Sequence, residues 1–179
     1  MPRPDFTTPK DIIQKMIRVD HAGEYGARRI YEGQLSHPLN QETTSTIQHM
    51  LQQEELHLSY FSQLLLERKV RPTILIPLWH AIGYILGKGS VLLSSRAAML
   101  LTQSIEEVIE QHYQNQIDYL ESHNIEKELL ARITQFQLEE VEHRDTALVF
   151  GSNEVAGGVM ISRVIKYMCN VAIRLSKVI

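Results

Sequence analysis

The chain has 179 residues, with 18 Lys and Arg against 21 Asp and Glu, a formal net charge of −3 at pH 7 and one cysteine. That length suits a single domain with a substantial buried core. The interspersed charge argues against nucleic-acid binding through bulk charge, and the lone Cys169 excludes an intramolecular disulfide or a Cys-x-x-Cys site within the chain.

The polar, proline-bearing start offers no signal peptide, so a reducing, cytoplasmic compartment is expected. Thr8-Pro9-Lys10-Asp11 reads as an N-cap, a proline at the first helical position and an acid at the third, opening a helix to about Leu35. Ser36-His37-Pro38 stops it. A second helix is expected from about Asn40 to Arg68. Residues 73–87 are almost all apolar, carry Trp79 and Tyr84, and are flanked by Arg71 and Lys88. With a proline and glycines interrupting it, and a break at Gly87-Lys88-Gly89-Ser90, this run is too short to span a bilayer and reads as a crossover that anchors at a membrane surface. Further helices are expected from about Ser90 to Glu121 and from Asn124 to Phe150, where Gly151 is a C-cap. A last one, from Ser152 on, alternates apolar residues with Arg163, Lys166, Arg174 and Lys177. No segment shows sustained period-two alternation, so the class is all-α. One domain is expected over 1–179, with a core bundle over 9–150, the apolar crossover over 71–93 and an amphipathic C-terminal helix over 152–179.

Two halves of this pattern carry the same chemistry: a lone Glu, then Glu-x-x-His. Glu24 precedes Glu54-Glu55-Leu56-His57, and Glu106 precedes Glu140-Val141-Glu142-His143, at spacings of 30 and 34 positions from lone to paired Glu. At about 100° per residue, Glu24 shares a face with Ile13, Ile17, Tyr31 and Leu35, and Glu54 with Ile47, Leu51, Leu58, Phe61 and Leu65. Glu140 and His143 continue the line of Leu129, Ile133 and Phe136, and Glu106 lies nearest Leu101, Ile105, Ile109 and Leu120. Glu55, Glu107 and Glu110 turn outward, and Glu55 and Glu139 are expected to matter much less than their neighbours. Buried carboxylates need a cation or a proton, and Arg28 and Arg68 are the best internal counter-ions, sufficient for part of the cluster at most. Four carboxylates and two imidazoles form the set with which a ferritin-like four-helix bundle holds two irons. Iron or manganese suits such oxygen-rich donors. The expected fold is therefore a ferritin-like four-helix bundle with a long crossover and additional membrane-facing and C-terminal helices.

The run Val19-Asp20-His21-Ala22-Gly23-Glu24-Tyr25-Gly26-Ala27, the segment Arg71-Pro72-Thr73 with Pro77-Leu78-Trp79, Glu106-Glu107 with His112-Tyr113, and Glu139 to Asp145 resemble the demethoxyubiquinone hydroxylase family. The resemblance extends from Ile12 onward. It implies an O₂-dependent di-iron monooxygenase that hydroxylates the ring of a polyprenylated demethoxybenzoquinol in ubiquinone biosynthesis. It also implies that Glu24, Glu54, His57, Glu106, Glu140 and His143 hold two iron ions, ferrous in the reduced form. In a bundle of this kind Glu54 and Glu140 bridge the metals, and Glu24 and Glu106 cap from outside. Beyond the ligands, Asp20 is placed to accept from a ligand imidazole, and His112 and Tyr113 to gate protons or electrons. His37, His49 and His123 read as surface residues. The implied partners are the quinol, an electron donor (NADH, the quinol itself or a reductase), the membrane surface, and further copies or other ubiquinone-biosynthesis proteins, with no nucleic acid. The implied location is peripheral on the cytoplasmic face of a bacterial inner membrane, or the matrix side of the mitochondrial one for a processed form. An iron-oxidising storage bundle, a di-iron tRNA hydroxylase and a non-enzymatic scaffold remain as alternatives. A rubrerythrin-like peroxidase needs cysteines that the chain lacks.

Overall fold

Thr8 opens the first helix by a reciprocal cap: its hydroxyl accepts from the Asp11 N–H, and the Asp11 carboxylate accepts from the Thr8 N–H at 3.0 Å. In the computed structural model, which describes residues 8–178, this is α1 (Pro9–Gln34). It is followed by α2 (Gln41–Glu67), α3 (Ile76–Leu93), α4 (Ser95–His123), α5 (Lys127–Val149), a 3₁₀ turn (Ser152–Glu154) and α6 (Gly158–Val178). No strand occurs among the described residues. Asn40 caps α2 by accepting from the Thr43 N–H at 2.8 Å.

The chain is an all-α, ferritin-like bundle. α2 packs on α1 and α5 on α4, as short connections favour, and the two pairs face each other. α3 joins them by lying along α1, and α6 covers α4 and α1. Between α4 and α5 the backbone takes left-handed conformations at Asn124 and at Glu126, so α5 starts at Lys127 and not at Asn124. Arg68 at the end of α2 grips the Glu126 carboxylate with both terminal nitrogens, at 2.8 and 2.7 Å, pinning that turn. α6 likewise begins later than the expected 152, after the 3₁₀ turn and a left-handed Gly157.

The crossover differs most from expectation. α3 runs unbroken through Gly87-Lys88-Gly89-Ser90, and the break falls at Ser94, whose hydroxyl caps α4. The physical reason is close approach. A β-carbon at Gly87 would collide with the Ile30 carbonyl, one at Gly33 with the Tyr84 carbonyl, and one at Gly83 would lie 2.9 Å from the Gly26 carbonyl. The glycines are a contact surface that lets α3 seat on the α1 backbone, and the packing outweighs their low helix propensity. At 18 residues α3 is also long and apolar enough, by length and composition, to cross a membrane, although its glycine face is committed to α1.

Candidate metal centre

The expected core positions on the inward stripes are buried except Leu35 and Leu51, which are half-buried, and the acids are buried with them. Glu24, Glu54, Glu106, Glu140, His57 and His143 are each at most 3% exposed, whereas Glu55 on the next position of α2 faces solvent. α1, α2, α4 and α5 each contribute. One oxygen or nitrogen from each of Glu24, Glu54, His57 and Glu140 lies within 4.8 Å of the others, and the same holds for Glu54, Glu106, Glu140 and His143. Glu54 and Glu140 belong to both groups.

Each imidazole turns Nδ1 inward. His57 Nδ1 stands 3.2 Å from Glu140 Oε1 and 3.5 Å from Glu24 Oε2. His143 Nδ1 stands 3.2 Å from Glu140 Oε2 and 3.4 Å from Glu54 Oε1. The opposite nitrogens are held from outside, His57 Nε2 by the Glu139 carboxylate at 2.6 Å and His143 Nε2 by the Gln53 side-chain oxygen at 2.9 Å. His57 also rests against Phe136, at 3.9 Å between ring centroids, and His143 meets Tyr31 edge-on. The phenol of Tyr31 donates to Glu106 Oε1 at 2.5 Å, and that of Tyr113 donates to Glu24 Oε1.

The electrostatics without a cation are severe. Burial, compounded by the Glu140 carboxylate, pushes Glu54 and Glu106 well above the usual carboxylate range. Burial works against a charged His57, but the Glu140 and Glu24 carboxylates outweigh it and hold its pKa at about 12. Both oxygens of Glu54, both of Glu140, Glu106 Oε2 and the Nδ1 atoms of both histidines have no hydrogen-bond partner. Buried polar atoms are ordinarily satisfied, so a convergent set of orphaned donors fits cations. Arg28 and Arg68 do not help: Arg28 pairs with Glu32 at 2.8 Å and Arg68 with Glu126.

The sequence profile described as "Ubiquinone biosynthesis protein COQ7" matches residues 11–176. The chain belongs to the COQ7 family. It is 44% identical over 167 residues to the mouse protein named "NADPH-dependent 3-demethoxyubiquinone 3-hydroxylase, mitochondrial", covering 92% of this chain and 77% of that one. It is 42% identical over 176 residues to the Rhodospirillum rubrum "3-demethoxyubiquinol 3-hydroxylase", covering 97% and 82%. The Saccharomyces cerevisiae "5-demethoxyubiquinone hydroxylase, mitochondrial" is 38% identical over 177 residues, covering 90% and 76%. The chain is thus a hydroxylase, a monooxygenase of ubiquinone biosynthesis.

Around the COQ7-family centre, the remaining predicted residues fall as follows. Tyr113 reaches Glu24 directly. Burial and the Glu24 carboxylate raise its pKa well above the phenol range, so it stays a proton donor. Asp20 does not accept from a ligand imidazole: it accepts from Gln116 Nε2 at 2.6 Å and faces His112 Nε2 at 3.2 Å. α1 carries it toward α4, away from His57 on α2 and His143 on α5. Burial raises the Asp20 pKa, against the hydrogen bonds of His112 and Gln116. Glu139, read as peripheral, touches His57, and Tyr31 and Gln53 were not singled out. The signal for Tyr31 was available: it follows Glu24 by the seven positions that separate Tyr113 from Glu106.

On the α3 and α6 side lies an apolar cavity of about 170 Å³, bounded by Gly23, Ala27, Ile105 and Ile109, by Trp79 and by Cys169. Gly23 and Ile105 adjoin the outer glutamates in sequence, and Ala27 and Ile109 stand three residues after them. Cys169 forms part of the apolar wall, and burial pushes its thiol up to about 12.

Proposed function

We propose that this chain is an O₂-dependent di-iron monooxygenase that hydroxylates the ring of a polyprenylated demethoxybenzoquinol, with Glu24, Glu54, His57, Glu106, Glu140 and His143 as its iron ligands. The observation that carries the reading is the convergence of orphaned, fully buried carboxylate oxygens and imidazole Nδ1 atoms in two overlapping groups. Glu54 and Glu140, common to both groups, would serve both ions. Bound there, a pair of ferrous ions supplies electrons for O₂ activation. The chain's own residues do the rest. Tyr31 and Tyr113 fix the outer carboxylates Glu106 and Glu24. The isoleucines and small residues of the cavity hold the ring beside them and exclude water.

The cavity is smaller than the roughly 300 Å³ of a typical ligand pocket, so it takes the ring and leaves the tail outside. The tail leaves between α3 and α6, past Trp79, whose indole N–H donates to Ser176 at 3.1 Å. Both helices present apolar residues outward there, among them Leu78, Ile85 and Leu92 on α3 and Val164 and Met168 on α6. That surface is the one we assign to the membrane that holds the quinol. The reductant we assign is a reduced nicotinamide, as in the name of the mouse relative.

The test is incubation of iron-loaded protein with a short-tailed demethoxyubiquinone analogue, NADPH and ¹⁸O₂, followed by mass spectrometry. One ¹⁸O in the ring is expected for the wild type and none for Glu140→Ala. Iron oxidation without ring labelling would favour the storage reading.

A further inference from the structure

The two halves of the centre repeat each other well beyond the six donors. Tyr31, seven residues after Glu24, donates to Glu106, and Tyr113, seven after Glu106, donates to Glu24. Gln34, ten after Glu24, donates to Thr102 Oγ1 at 3.3 Å, and Gln116, ten after Glu106, donates to Asp20 Oδ1 at 2.6 Å. Thr102 and Asp20 each stand four residues before the outer glutamate of the other half. The imidazoles follow the same rule: His57 is held by the residue before Glu140, and His143 by the residue before Glu54.

Among the hydrogen-bonded positions just named the repeat breaks in two places, both on the Glu24 and His57 side. Asp20 stands where the other half has Thr102, and Glu139 stands where it has Gln53. The Asp20 oxygen is answered by Gln116 and His112. Glu139 spends one oxygen on His57, and its other accepts from Gln135 Nε2 at 2.9 Å, which fixes the carboxylate in place.

We infer that Glu139 is a positioning residue that makes the two cation positions unequal, so that the one at Glu24 and His57 binds more tightly than the one at Glu106 and His143. This rests on the six-ligand reading above. An Nε2–H that donates to a carboxylate leaves more negative charge on Nδ1 and locks the ring toward the metal; a neutral amide oxygen does less of both. The short 2.6 Å contact, against 2.9 Å at Gln53, has the same sense. The other groups that hydrogen-bond a ligand, Tyr31 and Tyr113, are matched across the repeat, so among the hydrogen bonds to the ligands the difference falls on this pair.

Anaerobic titration of the apo protein with Co²⁺ tests it. Visible absorption follows uptake, and proton NMR follows the exchangeable imidazole N–H signals that the bound ion shifts. The wild type should take up two ions in steps about tenfold apart, with one shifted N–H signal arising in each step. Glu139→Gln, of equal size, should weaken the tight step about tenfold and move only its N–H signal. Gln53→Glu should tighten the weak step and move only the other signal. Uptake of two ions in a single step, or both variants acting on the same step, overturns the inference and leaves the six-ligand reading standing. No uptake by the wild type, or unchanged uptake by Glu54→Ala, overturns both.

Discussion

Glu54 shows what the centre asks of a single side chain. It is fully buried, without a hydrogen-bond partner, and faced by Glu140, Glu24 and Glu106, and burial holds its proton on well above the carboxylate range. Its folded-state pKa exceeds the unfolded value, so above about pH 4.5 the folded apo protein binds more protons than the unfolded chain. Stability therefore falls as pH rises through that window, at up to about 1.4 kcal/mol per pH unit for each proton held. Glu106 has the same sign. So does His57, whose contribution is fully present below its unfolded pKa and lost as pH rises toward about 12. Glu140 acts oppositely, but it is held down at about 2, below the window: burial raises it and the nearby His143 and His57 imidazoles, each 3.2 Å away, win. We expect Glu54→Gln to flatten this slope in urea melts of the apo protein between pH 5 and 8, to make it more stable at pH 8, and to abolish metal binding. A slope unchanged by the substitution would sink the argument. Divalent cations compete with the same protons, so wild-type metal affinity should rise with pH. The sequence was informative here because helical phase separates inward Glu54 from outward Glu55. Phase assigns a face and not a partner, which is why Glu139 and Gln53, one position off the stripe, were invisible as the holders of histidines 82 and 90 residues away.

Helix boundaries with chemical caps were legible in advance, as at Thr8, Asn40 and the stop after Leu35. The crossover was not, because glycine has two opposite meanings in a helix: a weak point, or a place where another backbone comes near. Only the partner decides, and the partner, α1, is some fifty residues away in sequence. The two meanings sit side by side in α3. Gly87 abuts the Ile30 carbonyl, whereas nothing lies within 4 Å of a β-carbon built at Gly89. Gly89→Ala should therefore stabilise the protein by about 0.5–1 kcal/mol through helix propensity. Gly87→Ala should destabilise it by about 1–3 kcal/mol, because the collision is with backbone that cannot rotate aside. Urea denaturation midpoints check both, and shifts of the same sign would show that α3 is not seated on α1 as described.

At the scale of the whole molecule, the four bundle helices close around the acids while α3 and α6 cover a side where residues flanking the outer glutamates in sequence line an apolar cavity. That arrangement separates two jobs within α3. Its inner residues, Trp79 and Gly83 among them, wall the cavity, and its outer stripe of Leu78, Ala81, Ile85 and Leu92 faces away from the protein. The sequence marked the segment as apolar but could not divide it this way, and Trp79, bonded to Ser176, belongs with the inner set. A test of membrane docking must therefore spare Trp79. Replacing Leu78, Ile85 and Leu92 together with Ser alters exposed positions that pack on nothing essential to the fold. The iron content should then stay at the wild-type level, and a short-tailed, water-soluble quinol analogue should be hydroxylated at the wild-type rate. Binding to liposomes should fall about tenfold or more, since three apolar side chains lose a hydrophobic contribution of about 1.5–3 kcal/mol each where they are fully immersed. Turnover of a long-tailed quinol presented in those liposomes should fall with it. Unchanged liposome binding would remove α3 from the docking surface, and equal loss on both substrates with lower iron content would make the stripe part of the fold.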